Sequence, residues 1–143
     1  MKILIFGLPG SGKTTLAKPF AELIGGVHIN ADAVRTHYND WDFTPEGRMR
    51  QALRMRFLAD GVVMAGKIAV ADFVCPTEQA RQEFNPDFTV WMDTIKEGRF
   101  EDTNKMFVPP ANFDYHVAEW FTDTHQQLMQ VVATWMERNG RKN

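Results

Sequence analysis

The chain has 143 residues, 44% hydrophobic and 24% charged, with a formal net charge of −2, so long nucleic acid or an anionic membrane is a poor fit as partner. A domain of this size buries about 68–70% of its unfolded surface, which excludes any need for a disulfide or structural metal. Cys75 is the single cysteine, which rules out an intrachain disulfide and suits a reducing cytoplasm.

The first strand reads as Lys2–Phe6, an apolar run of the kind buried on both faces, yet too short for a secretory signal or a membrane span. Gly7–Gly12 reads as a loop and Lys13 to about Ile24 as a helix, in which Pro19 is expected to place a kink. Gly25-Gly26 closes that helix before a short strand, Val27–Asn30, and a short helix, Ala31–His37. Thr44-Pro45 supplies a hydroxyl cap and a first-position proline for a helix reaching about Gly66. Ile68–Val74 reads as a third strand, Thr77–Phe84 as a helix ended by Asn85-Pro86, and Phe88–Met92 as a fourth strand. Lys96–Lys105 is polar and expected to be helical, followed by the irregular, proline-rich Met106–Asn112. Tyr115–Val117 is a candidate fifth strand. Thr124-x-x-Gln127 has the pattern of a capping box for the last helix, whose Leu128, Val132 and Trp135 make an apolar stripe. No repeat or linker interrupts this alternation of strands and helices, so residues 1–143 read as one α/β domain with a largely parallel sheet.

Gly7-Leu8-Pro9-Gly10-Ser11-Gly12-Lys13-Thr14 satisfies G-x-x-x-x-G-K-[ST], and it follows a strand and opens a helix, the context that gives this motif its meaning. Glycines allow the backbone N–H groups to turn inward around a phosphate, and the helix N-terminus adds unpaired donors and a positive dipole end. Lys13 is expected on the β- and γ-phosphates, Thr14 on Mg2+, and Thr15 extends the nucleotide-binding set. The cofactors expected are ATP and Mg2+. A guanine-reading N-K-x-D motif is missing, because Asn104-Lys105 is followed by Met106-Phe107. No switch segment is evident either, which leaves a small-molecule kinase as the economical reading. A nucleotide-binding switch without phosphotransfer is the alternative from another class.

Together with the phosphate loop, Asn30-Ala31-Asp32-Ala33-Val34-Arg35, Phe43-Thr44-Pro45-Glu46-Gly47-Arg48, Val74-Cys75-Pro76 and Val90-Trp91-Met92-Asp93-Thr94 stand in the order seen in adenylylsulfate kinases. The chain resembles that family from Met1 to about Pro110. The resemblance implies a three-layer P-loop kinase fold with a five-stranded sheet and a short lid over residues 95–110. It also implies transfer of the γ-phosphate of ATP to the 3′-hydroxyl of adenosine 5′-phosphosulfate. The family typically has Asp-Gly-Asp at Asn30-Ala31-Asp32, serine at Cys75 and asparagine at Gln51. Related small kinases act on other nucleotides, sugars, nucleic-acid ends or modified bases.

The resemblance places Arg48 and Gln51 among substrate contacts, and Phe43 and Phe107 as aromatic residues sandwiching the adenine of the sulfated nucleotide. Asp32, just after the second strand, is a candidate to orient or deprotonate the acceptor hydroxyl, with a helix cap as its ordinary alternative. Arg35, one turn on, is a candidate fork for an anionic substrate group. Asp72, near the C-terminal end of the third strand, is a candidate Mg2+ contact through water. Arg99 and Lys105 are candidate lid cations, Arg99 with a catalytic role in stabilising transferring charge and Lys105 as a substrate contact. Arg50, Arg54 and Arg56 cannot all face the ligand that Arg48 faces and read as a solvated face. Cys75 reads as buried packing, and His28, His37, His116 and His125 share no metal spacing and receive no role. The expected partner is a nucleotide-like small molecule, and a homodimer is compatible with the sequence.

Overall fold

The computed structural model describes residues 1–98 and 101–139. Its strands are β1 (Lys2–Gly7), β2 (Val27–Asn30), β3 (Ala69–Phe73), β4 (Phe88–Met92) and β5 (Tyr115–Val117), and its helices α1 (Lys13–Ile24), α2 (Ala31–Tyr38), α3 (Pro45–Met64), α4 (Glu78–Phe84), α5 (Glu101–Met106) and α6 (Thr124–Asn139). β1 is buried at every position because it runs through the middle of a five-stranded sheet of order β2-β3-β1-β4-β5. All four pairings are parallel.

Alternation along β1 builds a core on each face. Ile3 and Ile5 join Leu16, Phe20, Val90, Leu128 and Val132 beneath α1 and α6, while Leu4 and Phe6 join Val34, Met55, Phe73 and Phe84 beneath α2, α3 and α4. This is the three-layer arrangement expected, and the strand that carries both cores is the one that ends in the glycine-rich loop. Cys75 is fully buried in the second core with burial pushing its thiol pKa up, so it packs and is not a nucleophile. Among the described residues no helix is long and apolar enough to cross a membrane.

Three local expectations change. α1 runs unbroken through Pro19, whose ring sits on the half-exposed side where the lost N–H costs least. The helix expected over Lys96–Lys105 shrinks to α5, because Gly98 and Asn104 form a reciprocal clamp. The Gly98 N–H donates to Asn104 Oδ1 at 2.7 Å and Asn104 Nδ2 donates to the Gly98 carbonyl at 3.1 Å. The capping box at the last helix is not made. Thr124 already lies inside α6 with its hydroxyl turned back to Phe121, and Gln127 Nε2 donates to Asp123 instead.

The sheet also dictates one residue type at the start of the loop. A β-carbon on Gly7 would stand 2.4 Å from the Met92 carbonyl oxygen, a backbone atom that cannot rotate away. Gly7→Ala is therefore expected to part β1 from β4 and to lower stability by about 1–3 kcal/mol, measured as a lower denaturant midpoint at constant slope.

Candidate active site

In an open parallel sheet, ligands bind beyond the carboxyl ends of the strands where the connections diverge. Here β1 leads to one side and β4 lies on the other, so Gly7, Asn30, Asp72 and Met92 form the floor of that crevice. The loop after β1 ends at Gly12, which has φ +94° and caps α1 without any side-chain hydrogen bond. A β-carbon there would also fall 2.5 Å from the Trp120 indole. The first-turn amides of α1 are thus available to an anion. Ser11 is fully buried, and its hydroxyl has no partner, a feature that calls for a ligand.

Lys13 extends along the loop and donates from Nζ to the Leu8 carbonyl at 3.0 Å. Burial lowers its pKa from 10.5 to about 8, with Asp72 and Asp32 pulling in the opposite direction. Thr14 donates its hydroxyl to Asp72 Oδ1 at 3.1 Å, and Asn30 Nδ2 donates to Thr14 Oγ1 at 3.1 Å. Asn30 also caps α2 by accepting from the Ala33 N–H at 2.9 Å, so Asp32 is not the cap. The acidic side chain of Asp32 instead stands exposed over the cavity.

That cavity has a volume of about 810 Å³, within the range of small-molecule sites. Pro9, Gly10, Gly12, Lys13, Thr14 and Thr15 from the phosphate loop and α1 line it, together with Asp32, Trp41, Phe43, Arg48, Phe73 and Thr103 from later elements. Phe43 has the Arg35 guanidinium 4.4 Å and the Arg48 guanidinium 5.3 Å from its ring centre. Arg48 donates to the Phe43 carbonyl at 2.9 Å and to Thr103 Oγ1 at 2.7 Å, and so ties α3 to α5. The segment leading to α5 lies over the phosphate loop: a β-carbon on Gly98 would be 3.0 Å from the Pro9 carbonyl oxygen.

The structure gathers the phosphate-loop residues, Asp32, Phe43, Arg48 and Asp72 at one site, and leaves other candidates outside it. Arg35 is buried and spends its guanidinium on the Asp40 and Asp42 carbonyls at 3.0 and 3.2 Å, beneath Phe43. Gln51 is buried and donates to the Ala31 carbonyl at 3.0 Å, which supports the turn carrying Asp32. Phe107 does not line the cavity. Its ring lies 6.5 Å from that of Phe6 and 5.2 Å from the Arg81 guanidinium, on the second core. Lys105 is exposed and pairs with Glu101 at 3.3 Å. Arg99 lies outside the described residues. The arginines read as a solvated face are engaged in ion pairs, Arg50 and Arg54 with Asp40 and Arg56 with Asp60.

Trp41, Thr103 and His28 were missed. A half-exposed tryptophan in the polar loop 39–44 was the available signal for Trp41. For His28 no sequence signal existed, since its approach to Asp72 follows from the register that pairs Asn30 with Asp72.

The donor set suits the groups expected. Thr14 and Asp72 offer the hard oxygen environment that Mg2+ prefers, beside a cavity with room for the waters it keeps. The uncapped helix end, the unpartnered Ser11 hydroxyl and Lys13 suit a triphosphate.

The family model described as adenylylsulphate kinase matches residues 1–96. A probable adenylyl-sulfate kinase from Aeropyrum pernix is 36% identical over 85 residues, 55% of this chain and 46% of the relative. An adenylate kinase from Pyrococcus furiosus is 35% identical over 88 residues, 61% of this chain and 37% of the relative. The chain therefore spans less than half the length of these curated relatives. Among solved structures, the APS kinase of Mycobacterium tuberculosis in complex with AMPPNP and APS has the same fold. Its TM-score is 0.75 at 15% identity, with 92% of this chain and 96% of that one covered.

Proposed function

Because the chain belongs to the adenylylsulphate kinase family, we propose that it transfers the γ-phosphoryl group of ATP to a hydroxyl of a small anionic, nucleotide-like acceptor. The best candidate is the 3′-hydroxyl of adenosine 5′-phosphosulfate. The observation that carries this reading is one cavity lined both by Lys13 and the phosphate loop and by Asp32, Trp41, Phe43 and Arg48. Phosphates of the donor fit the first set, and a flat base with an attached anion fits the second.

In this reading the acceptor oxygen attacks the γ-phosphorus, the bond to the β-bridging oxygen breaks, and the acceptor proton passes to the Asp32 carboxylate. Lys13 and the first-turn amides of α1 hold the phosphates in line and take up charge as it moves toward the leaving group. Thr14 and, through water, Asp72 would hold Mg2+, which would supply charge neutralisation for the triphosphate. Arg48 aligns the acceptor anion while its bond to Thr103 keeps α5 close. The segment 95–110, in which Gly98 approaches the Pro9 carbonyl, acts as the lid that excludes water. Residues 1–143 form one kinase domain on this account.

An ADP-release assay across acceptors tests the proposal, beginning with adenosine 5′-phosphosulfate and including other nucleotides, nucleic-acid ends and modified bases. The similarity to an adenylate kinase makes nucleotide acceptors the first competitors. Strong stimulation by one of those, with none by the sulfated nucleotide, would reassign the acceptor. ATP binding with no acceptor-dependent ADP at all would leave a switch as the reading. Stacking on a base is worth about 1–3 kcal/mol, so Trp41→Ala is expected to raise the acceptor KM about 5- to 150-fold. The KM for ATP should stay within a few-fold of wild type, and an equal rise in both would remove Trp41 from the acceptor set.

A further inference from the structure

Asp72 is a buried carboxylate, 2% exposed, and its donors approach unequally. Thr14 donates to Oδ1 at 3.1 Å. Asn30 Nδ2 lies 3.3 and 3.4 Å from the two oxygens, a shared and long contact. The remaining partner is His28, whose Nε2 meets Oδ2 directly. His28 stands on β2, two residues before Asn30, with the larger part of its side chain covered.

The terminal torsion of an aspartate is broad and nearly two-fold, so a carboxylate that must present one oxygen needs a second contact to choose it. Thr14 cannot do this alone. When its hydroxyl oxygen turns a lone pair to a cation, it keeps only one hydrogen for Asp72. Asn30 cannot do it either, because its amide is divided between the cap of α2, Thr14 and both carboxylate oxygens. Only the imidazole engages Oδ2 separately, among the described residues.

We propose that His28 is a positioning residue for the metal side of the site: its Nε2–H donates to Oδ2 and holds Asp72 so that Oδ1 faces Thr14 and the water shell of bound Mg2+. The inference rests on the reading of Thr14 and Asp72 as the metal-facing pair. Groups that orient ligands in this way are typically worth about 10–100-fold in metal affinity or activity.

The test uses the full chain as wild type, His28→Gln, which keeps an N–H donor at similar reach, and His28→Leu, which keeps bulk without a donor. Mn2+ binding in the presence of AMPPNP is followed by electron paramagnetic resonance, beside kcat and KM for both substrates. In the metal-free wild type, 15N resonances of His28 should report the Nε2–H tautomer. His28→Leu is expected to weaken Mn2+ binding about 10- to 100-fold and to lower kcat with the acceptor KM held. His28→Gln should recover most of the loss. If His28→Leu does not fold, His28→Asn, whose amide is too short to reach Asp72, takes its place. Equal Mn2+ affinity in wild type and His28→Leu, equal weakening in Leu and Gln, or an Nδ1–H tautomer would overturn the proposal. No Mn2+ binding by wild type with AMPPNP would instead bring down the metal-site reading itself, and this inference with it.

Discussion

Lys13→Met is expected to lower kcat by about 10²–10³-fold, the usual cost of removing one preorganised charge-stabilising donor, while the nucleotide-free protein becomes more stable. The second half of that expectation follows from burial. The ammonium has an ordinary pKa of 10.5 in the unfolded chain and about 8 in the folded one, chiefly because burial strips its hydration. The folded state therefore binds this proton more weakly, and below pH 8 the charge opposes folding. The penalty fades as pH rises from about 8 to 10.5, so stability attributable to Lys13 increases across that window. At pH 7 the full penalty is on the order of 3 kcal/mol, and methionine removes it while keeping the stem packed.

A triphosphate reverses the balance. Its negative charge beside Nζ favours the protonated form, so above pH 8 binding must draw in a proton, and affinity should fall as pH rises further. Thermal midpoints from pH 7 to 10 and calorimetry in buffers of different ionisation enthalpy read the two effects separately. A Lys13→Met protein that melts lower than wild type at pH 7, or wild-type affinity for ATP that is flat from pH 7.5 to 9.5, would sink this account.

Asp32→Asn is expected to reduce kcat by about 10²–10⁴-fold, the range of general acid–base catalysis, with the KM of ATP and acceptor changed only a few-fold. The structure makes the comparison clean. The side chain is exposed over the cavity, α2 is capped by Asn30, and the Thr36 hydroxyl bonds only to the Asp32 backbone carbonyl at 2.9 Å. Among the described residues no hydrogen bond or ion pair holds the carboxylate. Because Asp32 also helps to hold Lys13 in its charged form, the alkaline fall in nucleotide affinity should begin at lower pH in the variant. Calorimetry showing ATP bound normally, paired with steady-state rates, tests both parts. Unchanged acceptor-dependent turnover would exclude Asp32 as the proton acceptor and return weight to a switch.

Both residues line the cavity as the sequence suggests, and the reason for their placement is local. Lys13 takes its place from the loop and helix adjoining it in sequence, and Asp32 from the short turn after β2. The caps at Thr44 and Thr77, and the glycine and asparagine closures at Gly25 and Asn85, are likewise made by residues within one turn of the helix they bound. β5, with only three residues, was readable from the apolar pattern and is held by pairing with β4.

What the sequence by itself determined was the glycine-rich loop and the order of strands and helices, because each depends on contacts between near neighbours or on a two- or four-residue period. The tertiary structure alone decided which side chains share the cavity. Phe107 packs on the second core because Arg81 and Phe6 offer it a stacking site, while the 39–44 loop, braced by Arg35 and Arg50, turns Trp41 toward the cavity. His28 reaches Asp72 across 44 residues of chain, a distance set by sheet register. A side chain's partner is chosen by the free energy of packing the whole fold, and no short stretch of sequence carries that information.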